Sequence, residues 1–126
     1  MNAAFLDTHA AVLLWEGKVQ AFGAPARELL ATARLLVSPT VRLELQFLHE
    51  IGRLIRTPDE ILGGLELDHD VHVAHDDLAD VVARAAPLTW TRDPFDRLIV
   101  AHALLRDLPL VTRDRTVRAH VATAVW

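Results

Sequence analysis

The sequence predicts an α/β fold in which helices cover both faces of a parallel β-sheet. Short apolar runs alternate along the chain with segments whose apolar residues recur at helical spacing. The 126 residues suit one domain spanning 1–126, and the 52% that are hydrophobic are enough to fill its core. The chain contains no cysteine, so neither a disulfide nor a thiolate metal site is available.

The predicted elements follow from the apolar pattern and from the residues that start and stop helices. In chain order they are a strand at 3–6, helices at 10–15 and 25–33, a strand at 35–37, helices at 38–56 and 57–64, a strand at 71–73, helices at 77–86 and 93–105, and a strand at 108–112. A short helix and a final strand complete the chain.

Helix starts are the clearest local signals. Ser38, Thr57 and Asp93 each stand directly before a proline, so each start combines a capping side chain with a residue suited to the first helical position. Two consecutive glycines, Gly63 and Gly64, are predicted to end the helix that begins at Thr57.

The helix predicted at 38–56 carries an apolar stripe. Leu45, Leu48, Ile51 and Ile55 recur at helical spacing, which predicts that they face the core. Part of this stripe is also suited to contact a second copy of the chain or a partner helix.

Charge is unevenly distributed along the chain. The net charge is −4, yet residues 59–80 contain eight acids and no Lys or Arg, so the other nine acids face 13 bases. Twelve of these bases are arginine, whose planar guanidinium suits phosphate oxygens. We interpret the acidic segment as a solvated face and the remainder as compatible with a polyanionic ligand.

The N-terminus lacks the basic region and the cleavage site of a secretory signal. No apolar run approaches the roughly 18 residues that a membrane helix needs. Together with the absence of cysteine, these features predict a cytoplasmic protein that does not contact a membrane.

Four acids fall at or beside the predicted carboxyl-terminal edge of the sheet. Asp7 follows the first strand, Glu44 lies on the helix after the second strand, and Asp114 follows the strand at 108–112. Asp96 lies in the first turn of its helix, where the helix dipole stabilises an anion. Because ligands bind at this edge in open parallel sheets, we expect these acids to share one site.

Carboxylates brought this close together repel one another, which raises their pKa values unless a cation neutralises them. Mg²⁺ or Mn²⁺ prefers oxygen ligands, and such an ion polarises phosphoryl oxygens and activates water. The four acids therefore predict metal-dependent hydrolysis of a phosphodiester, for which no nucleophilic side chain is needed.

Arginines stand beside these acids along the chain. A single pair of this kind is most simply explained as charge neutralisation, but the pairing recurs at several acids and therefore favours a polyanionic substrate. The candidate substrate-binding arginines are Arg42, Arg92, Arg97 and Arg113.

Four segments resemble the PIN domain family and, within it, the VapC-type toxins of bacterial toxin–antitoxin pairs. They are Leu-Asp-Thr-His at 6–9, Ser-Pro at 38–39 followed by Glu44, Arg-Asp-Pro-Phe-Asp-Arg-Leu-Ile-Val-Ala-His-Ala at 92–103, and Leu-Val-Thr-Arg-Asp at 110–114. The segment at 92–103 is the most specific, and the order and spacing match along nearly the whole chain.

The resemblance implies a flavodoxin-like parallel sheet flanked by helices and an endoribonuclease activity that depends on Mg²⁺ or Mn²⁺. It also implies a homodimer and inhibition by a VapB-type antitoxin. Carried over by position, Asp7, Glu44, Asp96 and Asp114 are the catalytic acids, and all but Glu44 are the expected metal ligands. Thr112 joins the arginines as a candidate for contacts within the substrate site.

Several residues allow more than one interpretation. Asp93 either caps its helix or adds a fifth acid to the site, and we favour the cap. His9 lies near the site and either contacts substrate or has a packing role in a loop. His102 is predicted to be structural because it lies far from the first turn of its helix.

The main alternative to an enzyme is a non-catalytic PIN-like module that binds RNA or protein. Such a module must explain why four acids gather at one sheet edge without a metal. A phosphatase with an aspartyl nucleophile is disfavoured, because it needs a second acid two residues after Asp7, where His9 stands.

Overall fold

A computed structural model describes residues 2–126, and its centre is a five-stranded sheet in which all neighbouring strands are parallel. The order across the sheet is β3-β2-β1-β4-β5, where the strands are β1 (Ala3–Leu6), β2 (Arg34–Val37), β3 (His72–Val73), β4 (Leu110–Val111) and β5 (Ala124–Val125). This arrangement confirms the predicted flavodoxin-like α/β fold.

Seven α-helices lie within this part of the chain and flank the sheet. They are α1 (Thr8–Trp15), α2 (Ala24–Thr32), α3 (Pro39–Glu50), α4 (Pro58–His69), α5 (Leu78–Ala85), α6 (Pro94–Leu105) and α7 (Arg115–His120). A 3₁₀ turn at Val19–Ala21, which the apolar pattern does not indicate, links α1 to α2. Helices α1, α3 and α4 pack against one another, and α6 packs against both α3 and α5. Across residues 2–126, none of the helices combines the length and apolar character needed to cross a bilayer.

Polar side chains cap most of the helices at their N-termini. Asp7, Ser38, Thr57 and Asp114 accept hydrogen bonds from backbone N–H groups at the starts of α1, α3, α4 and α7. Asp93 accepts two such hydrogen bonds at the start of α6. Each cap satisfies N–H groups that have no partner within the helix, so these residues determine where the helices begin.

Two helix ends differ from those predicted. Helix α4 continues through Gly63 and Gly64 to His69, so the prediction that the glycines end it is wrong. The apolar face of α4 is buried, and its packing outweighs the low helix propensity of glycine. Helix α3 ends at Glu50 instead of near residue 56, because Gly52 adopts a left-handed φ of 79° that terminates the helix.

The core contains the central strand and the buried faces of the helices. Phe5 and Leu6 of β1 are completely buried, as is Leu45 of α3. Ile51 and Ile55, in contrast, are 51% and 91% exposed. The prediction that the whole apolar stripe faces the core is therefore wrong, because α3 ends before either isoleucine.

The strand order reverses at β1, which has β2 on one side and β4 on the other. In open parallel sheets, the crevice for a ligand lies beyond the carboxyl ends of the strands at such a reversal. Asp7 directly follows β1, and Asp114 lies shortly after β4. The topology therefore brings Asp7 and Asp114 to the same edge of the sheet.

Candidate active site

A cavity of about 360 Å³ lies beyond the carboxyl ends of β1 and β4. It is lined by Asp7, His9, Glu44, Asp93, Asp96, Arg113 and Asp114. The four acids singled out from the sequence thus line one cavity, although they come from four separate parts of the chain. We call this space the acid cavity.

Asp7 and Asp114 are held in place by the helices that they cap. The Oδ1 atom of Asp7 accepts a hydrogen bond from the N–H of Ala10 at 2.8 Å, and the Oδ1 atom of Asp114 accepts one from the N–H of Val117 at 3.0 Å. The buried hydroxyl of Thr112 accepts from the N–H of Asp114 at 3.1 Å, and its interaction with Asp7 opposes the rise in the pKa of that carboxyl. Thr112 therefore positions Asp114 but does not itself line the acid cavity.

Glu44 and Asp96 reach the acid cavity from α3 and α6. The carboxylate of Glu44 accepts a hydrogen bond from the buried hydroxyl of Thr8, which links α3 to α1. Asp96 lies in the first turn of α6, and Asp93 caps that helix by accepting from the N–H of Phe95 at 2.9 Å. Asp93 also lines the acid cavity, so the two interpretations of this residue are compatible.

Burial and repulsion between carboxylates raise the pKa values of Asp7, Glu44 and Asp96. Burial is the largest cause of the rise at Asp96, where repulsion from the other carboxylates contributes further and the pKa reaches about 7. Burial also raises the pKa values of Asp7 and Glu44, against the opposing effect of hydrogen bonds from Thr112 and Thr8. Because neighbouring acids contribute to the rise at all three, the carboxylates interact electrostatically across the acid cavity.

The donor set fits a hard divalent cation. The acids offer carboxylate oxygens, which Mg²⁺ and Mn²⁺ prefer, and an ion would relieve the repulsion that raises the pKa values. No group of three or more His, Asp or Glu side chains among residues 2–126 is already arranged to hold an ion. Holding an ion would require the carboxylates to lie closer together, and Asp7, Asp93 and Asp114 accept hydrogen bonds as helix caps.

Of the four arginines predicted to bind substrate, Arg113 lines the acid cavity. Arg42 forms an ion pair with the first turn of α4 and lines a separate cavity of about 530 Å³ between α3 and α4. Arg97 donates hydrogen bonds to carbonyl oxygens at the end of α5, and Arg92 is exposed without lining the acid cavity. Substrate binding by these three arginines stays a prediction, since proximity in sequence does not bring them to the acids.

His9 is a lining residue whose role the sequence left open. It is exposed at the acid cavity, and its charge lowers the pKa values of Asp7 and Glu44. The signal for it in the sequence is its position two residues after Asp7, at the start of α1.

His102 has the structural role that the sequence predicts. It is buried, and its Nε2 donates to the carboxylate of Asp76 at 2.7 Å. This leaves Nδ1 to accept from the hydroxyl of Ser38 at 3.1 Å. The hydrogen bond from His102 and the guanidinium of Arg106 lower the pKa of Asp76. This chain of contacts joins α6, the start of α3 and the segment before α5.

The PIN domain family matches residues 4–122, a range that includes every acid of the acid cavity. The chain therefore belongs to the PIN domain family. A comparison of the sequence with curated proteins gives no match.

Solved structures with a similar fold include a toxin–antitoxin complex from Klebsiella pneumoniae, with a TM-score of 0.70 and 20% identity over 98% of this chain and 97% of that one. VapBC2 from Rickettsia felis, bound to a DNA fragment from its promoter, has a TM-score of 0.66 and 17% identity over 98% and 96%. VapBC-1 from nontypeable Haemophilus influenzae has a TM-score of 0.64 and 19% identity over the same shares. At these identities, the likeness shows a shared fold.

Proposed function

We propose that the chain is a metal-dependent endoribonuclease that hydrolyses RNA phosphodiester bonds, as the toxin of a VapBC-type pair. One observation carries this proposal: four acids from four separate parts of the chain, joined by Asp93, line a single cavity. Burial there, with a further contribution from neighbouring carboxylates, raises the pKa values of Asp7, Glu44 and Asp96. A helix cap needs one acid beside its own helix and gains nothing from several others nearby. A bound cation explains why the acids are gathered.

Asp7, Asp96 and Asp114 are the proposed ligands of Mg²⁺ or Mn²⁺. When bound, the ion supplies positive charge that polarises a phosphoryl oxygen and activates water for hydrolysis. Because the pKa of Asp96 is about 7, this side chain must give up a proton near neutral pH before it can act as a ligand. Glu44 is held by Thr8 at the wall of the acid cavity, where its carboxylate can orient water.

Arg113 and His9 supply the contacts to a phosphate group. Both line the acid cavity beside the carboxylates, and a guanidinium donates hydrogen bonds to two phosphate oxygens at once. We propose that Arg42, Arg92 and Arg97 contact the RNA strand outside the acid cavity, where exposed arginines contribute affinity that weakens with salt.

A VapB-type antitoxin and a homodimer are part of the same proposal. The similar structures from Rickettsia felis and Haemophilus influenzae are VapBC complexes. Leu43, Phe47, Ile51 and Ile55 expose apolar surface on and after α3 that is suited to such contacts. Sedimentation tests the dimer, and a monomer at high micromolar concentration would reject it. In this proposal residues 1–126 act as one domain in the cytoplasm.

Incubation of purified protein with RNA in Mg²⁺, in Mn²⁺ and in a chelator tests the activity. We expect cleavage with either ion and none with the chelator or in the Asp96→Asn variant. Asp80→Asn is the matched control, because Asp80 occupies the third position of α5 as Asp96 does of α6, but is exposed and outside the acid cavity. Unchanged cleavage by both Asp7→Asn and Asp96→Asn would overturn the proposal.

The second candidate function is a non-catalytic PIN-like module that binds RNA or protein. The observation in its favour is that, within residues 2–126, no acidic group is already arranged to hold an ion. Binding of RNA without cleavage in Mg²⁺, Mn²⁺ and chelator alike would support this alternative.

A further inference from the structure

A second cavity adjoins the acid cavity. It has a volume of about 220 Å³ and is lined by Thr8, His9, Val12, Leu13, Glu16, Leu48, Arg53, Leu54 and Arg113. His9 and Arg113 line both cavities, so the two spaces meet at these side chains. We call the second space the side cavity.

The side cavity combines apolar walls with a positively charged rim. Its walls are the partly buried side chains of Val12, Leu13, Leu48 and Leu54, from α1 and from the end of α3 and the turn after it. At its rim, Arg53 and Arg113 are exposed. The exposed carboxylate of Glu16 also lines the side cavity but forms an ion pair with Lys18 at 3.5 Å, so the two arginines leave the rim with a net positive charge. Such a space attracts a ligand that is anionic on one side and has a flat apolar face on the other.

We propose that the side cavity binds one base of the RNA strand whose phosphate group lies at the acid cavity. This inference rests on the proposed ribonuclease function and adds a determinant of sequence preference. A base attached to that strand can enter the side cavity, because the two spaces share His9 and Arg113.

The size and chemistry of the side cavity match one base. Its volume of about 220 Å³ is below the roughly 300–1,000 Å³ of pockets that take drug-sized ligands, so it suits a single ring system. Bases of single-stranded RNA are bound by apolar contact with their faces and by stacking on arginine guanidinium planes.

Arg113 is already positioned for such stacking. Its guanidinium carbon lies 5.7 Å from the centre of the Trp126 ring, and Trp126 is itself stacked on the buried ring of Phe22 at 4.5 Å. The contact with Trp126 restrains the guanidinium, while Arg113 as a whole remains exposed. A restrained side chain loses little conformational freedom on binding, which favours affinity.

A competing occupant is an apolar side chain of a partner protein. The positive rim favours the base, because an apolar side chain gains nothing from two exposed arginines, whereas RNA carries a phosphate beside every base. The experiment below distinguishes the two occupants.

The test uses a Val12→Phe variant, which fills the side cavity, and Val82→Phe as the matched control. Val82 is an exposed valine on α5 that lines a different cavity with Ala85 and Leu98. Both changes are made in an Asp96→Asn background, so that binding is measured without cleavage. Fluorescence anisotropy with a labelled single-stranded RNA is expected to show roughly tenfold weaker binding for Val12→Phe, as for loss of one base contact, and no change for Val82→Phe.

A series of RNAs that each lack one base locates the effect. In the background protein, removal of one particular base should weaken binding as much as Val12→Phe does. In Val12→Phe, removal of the same base should have no further effect, which identifies a shared contact. Equal effects of every missing base in both proteins would overturn the inference.

A second variant tests the side cavity independently, in case Val12→Phe does not fold. Arg53→Met removes charge from the rim of the side cavity, and Arg84→Met, at an exposed position of α5, is its control. We expect severalfold weaker RNA binding for Arg53→Met alone. Unchanged binding by both Arg53→Met and a folded Val12→Phe would overturn the inference, as would loss of binding to a partner protein with RNA binding intact.

Cleavage of a random-sequence RNA library separates this inference from the proposed function. If the unmodified protein cleaves RNA with a base preference beside the cut, and Val12→Phe cleaves without it, both proposals are supported. If Val12→Phe retains the same preference, the side cavity is not the base site and the ribonuclease proposal stands. If the unmodified protein neither cleaves nor binds RNA, both fail.

Discussion

Replacement of Asp96 by asparagine should stabilise the metal-free protein above neutral pH. Because the pKa of Asp96 is raised in the folded chain, the folded state binds more protons than the unfolded chain between about pH 3.8 and 7. The free energy of unfolding contributed by this group therefore falls as the pH rises through that window. Asparagine cannot ionise, so the variant should escape this loss.

The size of the effect follows from the raised pKa and the exposure of the side chain. A rise from 3.8 to about 7 corresponds to about 4 kcal/mol at 1.36 kcal/mol per pH unit. Asp96 is partly exposed, and solvent screening should reduce this to about 1–2 kcal/mol. The variant also loses about 0.5 kcal/mol of favourable interaction with the dipole of α6. We expect a net gain of about 1 kcal/mol above pH 7, and none near pH 4.

Urea denaturation in a chelator, repeated across this pH range, measures the effect. Asp80→Asn is again the matched control, because it changes the same helix position of α5 outside the acid cavity. The control should lose roughly 0.3–1 kcal/mol through the helix dipole at neutral pH and should gain nothing. Equal pH profiles for Asp96→Asn and the unmodified protein would refute the claim that burial and repulsion raise the pKa of Asp96.

Three further predictions concern the ion and the packing of the fold. Addition of Mn²⁺ should raise the free energy of unfolding by about 2.7 kcal/mol when the free Mn²⁺ concentration is about 100 times its dissociation constant. A melting temperature that does not change when Mn²⁺ is added would contradict this. Gly63→Ala should stabilise α4 by about 1 kcal/mol, because nothing lies within 4 Å of the added methyl group. Gly64→Ala should destabilise it by about the same amount, because the methyl group would lie 2.9 Å from Nε1 of Trp15. Equal unfolding midpoints for the two variants would count against this packing. His102→Ala should lower the free energy of unfolding by about 2–4 kcal/mol, because it leaves a gap in the core and removes the partner of Asp76, and a loss below about 1 kcal/mol in urea would contradict that role.

The fold class and the helix starts could be predicted because their determinants are local. Ser38, Thr57 and Asp93 signal helix starts within a few residues of chain, and each caps a helix in the structure. The order of apolar runs and helices then requires parallel strands, which bring Asp7 and Asp114 to one edge of the sheet.

The end of α4 and the directions of the arginines depend on packing and could not be predicted, whereas Gly52 is a local signal for the end of α3. Gly63 and Gly64 lie within α4 because its other residues bury an apolar face. Arg42 and Arg97 lie within two residues of an acid in the sequence, but neither forms an ion pair with it. Arg42 pairs with Asp59 at the start of α4, and Arg97 donates to a carbonyl oxygen at the end of α5. The path of α4 and the partners of these arginines depend on contacts between segments that are far apart in the sequence, so the local pattern does not indicate them.

The side chain of Asp93 shows how a local signal can be correct and incomplete. The prediction of a helix cap is confirmed by its hydrogen bonds to the N–H groups of Phe95 and Asp96. The same carboxylate also lines the acid cavity and contributes to the raised pKa of Asp96. That second property emerges only when α3, α6 and the residues after β1 are assembled.

Crystals grown with Mn²⁺ test the central claim, that these acids hold a divalent ion. Anomalous scattering from manganese locates the ion without reference to the protein chain. We expect a peak bounded by the carboxylates of Asp7, Asp96 and Asp114, and its loss in Asp7→Asn, which keeps the oxygen that caps α1. A manganese peak elsewhere, or no peak under conditions in which the protein cleaves RNA, would contradict the account.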